Sequence, residues 1–386
     1  MHPFECAVTW IALALAAGGC GTAAADASSS STDASAPLAP SDAGALSDAP
    51  VDSQSVSQHE GGLLVGYYAE WKKGSFPPAS VQWDALSHVA EAFALPEADG
   101  GLANLGTFAD DALVAAAHAH GVKIIASVGG ARGDFYASVV APGPRARTVA
   151  ALASLCATHG YDGIDLDWEY PDTGTIVAWS ALVHELRVAL DALGGGHLSL
   201  SSTLAATSPN SDLAPVDVLA ALDWVEVMTY LYSGPKSDEV GFLSPMVDPL
   251  DAGDGSVSET IRHLIVDRGI PASKLLLGIA FYGFEFQDGP PGTAIASPSH
   301  VIEMDDTSIA LLSEDAGWTR SWNAVASAPA LTDGKSFVTY EDTSSIDAKC
   351  AFVHAQGLGG AMVWHMSEGV LPDGSQPLIT HAAGCR

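Results

Sequence analysis

The sequence predicts an α/β fold, a parallel (β/α)8 TIM barrel. From Leu63 onward short apolar runs alternate with helical stretches, which is the pattern of parallel strands joined by crossover helices. Eight such runs fit between residues 63 and 364, as a closed barrel requires. No glycine-rich dinucleotide fingerprint follows the first run, which counts against the alternative, an open doubly wound sheet.

The strands are expected at Leu63–Tyr68, His88–Ala94, Val122–Val128, Gly163–Trp168, His197–Thr203, Trp224–Tyr230, Leu275–Phe281 and Gly360–Trp364. Helical runs fall between them at Asp110–His120, Arg147–His159, Ile176–Leu193, Ser258–Arg268 and Ile346–Ala355. Ahead of the barrel stand two segments of different character. Residues 1–20 have a polar start, an apolar run from Ala7 to Ala17 and then Gly18-Gly19-Cys20, the pattern of an export signal. Small residues before Cys20 resemble a bacterial lipoprotein box, with Ala17 where Leu is usual. The reading is a lipid anchor on Cys20, with plain signal cleavage and secretion as the alternative. Residues 21–60 are Ala, Ser, Asp and Pro without an aromatic side chain, Lys or Arg, and cannot bury enough apolar surface to offset their ordering entropy. They are expected to form a disordered linker to a catalytic domain at 61–386.

Charge excludes whole classes of partner. With 46 acidic against 15 basic residues the formal charge is −31, so phosphate backbones and anionic headgroups are repelled. Nucleic acid is therefore not expected, and the membrane only through a lipid on Cys20. A neutral substrate is tolerated.

The most informative stretch is Tyr161-Asp-Gly-Ile-Asp-Leu-Asp-Trp-Glu-Tyr-Pro171. Side chains two apart on a strand share a face, so Asp165, Asp167 and Glu169 point one way while Ile164, Leu166 and Trp168 point the other. Spaced by about 6.6 Å per pair of residues, the acids climb toward the C-terminal strand ends, where such barrels keep their active sites. Like charges that close cannot all ionise cheaply when buried, so at least one acid is expected to stay protonated near neutral pH. One carboxylic acid able to donate beside one that stays anionic is the arrangement of acid–base catalysis.

Other chemistries find less support. A divalent metal at the acids would need a His or further acid in the same loop, and none is there. His118 and His120 precede Gly121 at a helix end and read as solvated helix positions. Asp251-Ala-Gly-Asp-Gly255 falls short of a calcium loop, and no Gly-x-Ser-x-Gly, phosphate loop or zinc-type cysteine spacing occurs. No metal and no cofactor are expected.

At these residues the sequence resembles the chitinases of glycoside hydrolase family 18, whose Asp-x-x-Asp-x-Asp-x-Glu signature is met by Asp162, Asp165, Asp167 and Glu169. Val65-Gly-Tyr-Tyr-Ala-Glu-Trp71 is similar to the family's first strand and Ser127-Val-Gly-Gly130 to its third. Met228-Thr-Tyr230 resembles the sixth, Gly278-Ile-Ala-Phe-Tyr-Gly283 the seventh and Gly359-Gly-Ala-Met-Val-Trp364 the eighth. The resemblance implies retaining hydrolysis next to N-acetylglucosamine, with the substrate's own acetamido group as nucleophile, an exception to the two-carboxylate rule. It implies Glu169 as general acid and base, Asp167 holding the acetamide N–H, Asp165 sharing a proton with Asp167, and Tyr230 donating to the acetamido group. Trp364 would floor the sugar's site, with Met228, Tyr67, Trp71, Phe93, Gly130 and Tyr170 as further substrate contacts, and Asp162 and Ser127 as structural support. By themselves Tyr230 and Trp364 would more often be core aromatics.

The partner implied is chitin or another glycan containing N-acetylglucosamine, and the chain is expected to be a monomer. Non-catalytic chitin-binding lectins of this fold typically lose the terminal Glu, which is present as Glu169. Endo-N-acetylglucosaminidases and peptidoglycan-directed relatives are the enzymatic alternatives; Trp168 and Met228 look more like the chitinase branch. Two positions depart from the family pattern, Leu231 where Asp follows the sixth-strand Tyr and Phe284 where Arg often follows Tyr-Gly. The segment Glu285–Ser344, with Trp318 and Trp322, looks too short for a full insertion domain, which favours an open groove and internal cleavage. In the proposed barrel Cys350 and Cys385 lie on neighbouring elements and are the preferred disulfide, with Cys156 free.

Overall fold

The computed structural model describes residues 61–131, 139–206, 210–250 and 255–386. The leader with Cys20, the linker and most of the Asp251–Gly255 loop lie outside the described residues. Seven parallel strands come first: β1 Leu63–Ala69, β2 His88–Ala94, β3 Lys123–Gly130, β4 Gly163–Trp168, β5 Ser199–Ala205, β6 Trp224–Met228 and β7 Leu275–Ala280. Antiparallel strands β8 Tyr282–Phe286, β9 Val301–Asp305, β10 Thr319–Asn323, β11 Ala328–Thr332 and β12 Phe337–Thr339 follow, before the last barrel strand β13 Gly360–Trp364. β13 pairs with both β1 and β7, so the eight parallel strands close on themselves.

The (β/α)8 expectation holds, with boundary shifts that have local causes. The helix expected from Arg147 begins at Pro142, because a proline's fixed φ and missing N–H suit the first turn. β6 stops at Met228 instead of Tyr230. The Thr229 and Tyr230 amides turn back to carbonyls two residues earlier, at 2.8 and 2.7 Å, which takes the chain off the ladder. The run at Ser258–Arg268 is an α-helix over Val257–Arg262 that widens into a π turn at His263–Asp267.

The larger correction concerns the insertion. The segment that looked too short for an insertion domain is folded: the chain from Tyr282 to Thr339 forms a five-stranded antiparallel sheet in the order β10-β11-β12-β8-β9 with a helix at Asp306–Glu314. Each face has its own core. Phe284, Phe286, Ala328, Ala330 and Phe337 are buried on one side, and Ile309, Leu331, Val338 and Tyr340 on the other. Strands of three to five residues carry too little periodicity to stand out singly; they are stable because they pair. At the other end of the barrel Cys350 and Cys385 form the disulfide, and Cys156 is free and buried.

Alternation in the barrel strands sorts apolar residues to the helices and a second set to the interior. Ile164, Leu166 and Trp168 of β4 pack outward with Trp179, Leu182 and Leu186 of the helix Ile176–Leu193. On the same outer layer Glu91 of β2 is fully buried and accepts the Tyr161 hydroxyl at 2.5 Å. Burial pushes its carboxyl from 4.5 up to about 7, against that hydrogen bond and helped by the nearby Asp110 and Glu70 charges. The unfolded chain therefore loses this proton first. Stability from Glu91 is complete below pH 4.5 and falls as pH rises through 7, by about 3 kcal/mol in total. Glu91→Gln keeps an acceptor for Tyr161 without the titration, so urea unfolding at pH 5 and pH 8 should show the variant gaining on the parent at the higher pH. An equal difference at both pH values would contradict this.

Candidate active site

β4 carries the acids. Its register sets Asp165 beside Ser127 of β3 and Ser201 of β5, so inward side chains of three adjacent strands meet at one level. Asp165 Oδ2 accepts the Tyr67 hydroxyl at 2.8 Å and the Ser127 hydroxyl at 2.7 Å; Oδ1 accepts the Ser201 hydroxyl at 2.9 Å. Asp167, one pleat higher, accepts the Thr203 hydroxyl at 2.7 Å. Glu169 follows just past the strand end, half-buried, hydrogen-bonded to Tyr170 and drawn toward the Lys236 cation.

All three carboxyls are held above the ordinary range, and burial is the first cause in each. For Asp167 the Glu169 and Asp165 charges add to it and the shift is large. For Asp165 the hydroxyl donors oppose burial. The three acids thus differ in environment: Asp165 accepts three hydroxyls, Asp167 feels the charges of the two other acids, and Glu169 is half-buried past the strand end.

Around them lies an aromatic surface. Trp364, half-buried at the end of β13, stacks on Phe93 (5.4 Å between centroids, 19°) and meets the edge of Tyr67 at 5.4 Å. Phe93 stacks in turn on Trp71 at 6.0 Å, and Trp71 is 52% exposed, so the surface runs outward from the acids. Tyr230 is buried beside Tyr282, whose ring it meets edge-on at 6.1 Å. Met228 lies in the same interior cluster.

Two expected substrate contacts are placed otherwise. Tyr67 is 1% exposed with its hydroxyl committed to Asp165, so it supports the acids from within. Gly130 lies under Phe93: at φ +78° a Cβ there would come within 2.6 Å of the ring. Gly130→Ala should therefore destabilise the fold by about 1–3 kcal/mol and raise KM by tilting Phe93, read as a lower Tm and weaker oligosaccharide saturation.

Ser127 and Asp162 support the strand. The Asp162 carboxylate takes the Ile124 amide at 2.8 Å and His118 Nε2 at 2.9 Å. His118 and His120 are both exposed at the helix end, as expected; His118 also hydrogen-bonds Asp162, and His120 stacks on Trp83 at 5.5 Å. Leu231, at φ +63° and 45% exposed, stands on the rim, while Phe284 is buried in the insertion sheet at 2%. Sequence reasoning missed Thr203, Tyr282 and above all Glu226, a fully buried acid on β6 whose Oε1 accepts the Trp224 indole N–H at 2.6 Å. The signal was there: an acid at an inward position of an apolar strand, as in β4.

A closed parallel barrel with graded carboxyls at a strand end under an aromatic surface defines the class, a glycoside hydrolase of the chitinase type. Residues 63–369 match the model for glycosyl hydrolases family 18, and the chain belongs to that family. It is 29% identical to Chitinase A1 of Niallia circulans over 285 residues, covering 64% of this chain and 40% of that protein. It is 30% identical to a class V chitinase of Arabidopsis thaliana over 265 residues, covering 64% of this chain and 69% of the relative. Among solved structures, a family 18 N-acetylglucosaminidase from Paenibacillus barengoltzii superposes with a TM-score of 0.76 at 25% identity, over 84% of this chain and all of that one. The Ostrinia furnacalis Group IV chitinase shares the fold at a TM-score of 0.75 and 21% identity, over 83% of this chain and 98% of that one.

Proposed function

We propose that the chain hydrolyses β-1,4-linked N-acetylglucosamine polymers, chitin and its oligomers, with retention and with the substrate's acetamido oxygen as nucleophile. The observation that carries this reading is the run of acids formed by Asp165 and Asp167 on β4 and Glu169 just past its end, each in a different environment. Glu169, whose carboxyl burial raises above its usual range, gives its proton to the leaving glycosidic oxygen and then takes one from the water that opens the oxazolinium. Asp167 accepts the acetamide N–H, aims its oxygen at the anomeric carbon and balances the positive charge that develops. Tyr230 donates its hydroxyl to the acetamido group, and the face of Trp364 packs on the apolar face of the sugar.

Cleavage of internal bonds is part of the proposal. The aromatic surface continues past Trp364 through Phe93 to the exposed Trp71, room for more than one sugar. The insertion is a folded five-stranded sheet, and internal cleavage rests on this run of aromatic faces. Export, with Cys20 as lipid anchor, belongs to the same reading and is tested by metabolic lipid labelling of the parent against Cys20→Ala. The decisive experiment digests chitohexaose with the full chain and resolves products by length and anomer. Di-, tri- and tetrasaccharides with initial β-anomers support the proposal. Monosaccharide alone would show exo action, and binding without cleavage would make the chain a lectin.

A further inference from the structure

β6 turns Trp224, Glu226 and Met228 into the barrel interior, and Glu226 is 0% exposed. Its Oε1 has the Trp224 indole N–H; its Oε2 is buried with no donor among the described N–H and O–H groups. What it meets is the carboxyl of Asp165. β4 and β6 are alternate strands, and alternate strands supply one interior layer of such a barrel, so the two acids touch although β5 lies between them. Two ionised carboxylates cannot share a dry interior at hydrogen-bonding distance, and only a proton between them satisfies both. The donor set decides which acid carries it. Asp165 already accepts three hydroxyls, which stabilise its anion, whereas Glu226 accepts one N–H.

We propose that Glu226 is a positioning residue for the catalytic acids: as a neutral carboxylic acid it donates to Asp165, supplies that carboxylate's fourth hydrogen bond and holds it anionic beneath Asp167. The proposal rests on the hydrolytic reading above and moves the shared proton from the Asp165–Asp167 pair to Glu226. Burial and then the Asp165 charge raise the Glu226 carboxyl well above its usual range, in keeping with this. The titratable groups facing it are Asp165 and Asp167 from β4, Tyr67 from β1, and His88 from β2, whose ring lies 4.9 Å from that of Trp224. β3 and β5 contribute the hydroxyls of Ser127, Ser201 and Thr203, and β7 and β13 the apolar Leu276 and Met362.

Glu226→Leu removes the donor, so Asp165 takes up the proton itself and Asp167 and Glu169 lose a neighbouring charge. Expected in the full chain is a kcat about tenfold lower with little change in KM, and an alkaline limb of the kcat/KM profile about one pH unit lower. Glu226→Gln, which donates an amide N–H from the same place, should recover most of that kcat. An activity-free reading comes from infrared difference spectra of parent minus Glu226→Gln at pH 7, where the parent should show the carbonyl stretch of a protonated carboxyl. The idea fails if that band is missing, if Gln loses as much as Leu, or if the Leu profile overlays the parent's. A chain without any hydrolytic activity would sink the functional reading, while the infrared band would still decide the proton's place.

Discussion

Glu169→Gln is expected to lower kcat on soluble chitin oligomers by about 10³-fold or more, with Tm and oligosaccharide binding preserved. The side chain stands just past β4, half-buried, in contact with Tyr170 and near Lys236. Gln keeps the volume and a hydrogen bond to Tyr170 but has no proton to give the leaving oxygen and cannot activate water. Burial holds the Glu169 carboxyl above its ordinary range, so the acid form persists to a higher pH than that of a solvated glutamate. The parent's kcat should accordingly decline on the alkaline side as this proton is lost. Stopped assays of kcat and KM, with calorimetric binding of chitotetraose to the variant, check both parts. Residual kcat within tenfold of the parent would remove Glu169 from the acid role.

Asp167→Asn should lower kcat by about 10²–10³-fold, again with the fold intact. Asn can still accept the Thr203 hydroxyl that Asp167 accepts at 2.7 Å, so packing is kept. What it lacks is the negative charge, or the means of acquiring one, beside the oxazolinium. Asp167 is buried between Asp165 and Glu169, and in that low-dielectric position a charge interacts more strongly than it would in water. The same variant should move the Glu169 limb of the pH profile downward, because an adjacent titrating acid has gone. A kcat loss with an unmoved limb would mean that the two carboxyls are not coupled.

How much of this was legible beforehand depends on the kind of signal. The acids of β4 were legible because a strand's two-residue period assigns faces without knowledge of any other strand, and β2, β4 and β13 were located to the residue for the same reason. The insertion sheet was not, since its three- to five-residue strands acquire order only from each other. Nor were the roles of Tyr67 and Gly130, which depend on pairs 98 and 37 positions apart, Tyr67 with Asp165 and Gly130 with Phe93.

By itself the sequence determined the barrel, the column of acids and which of their neighbours face the helices, because those follow from local periodicity along single strands. Only the tertiary structure decided which hydroxyls Asp165 accepts, that Glu226 lies against it, and that a five-stranded sheet forms between β7 and β13. These depend on closure: when eight strands come round, residues far apart in the chain share one dry interior, and their protonation becomes a property of the set.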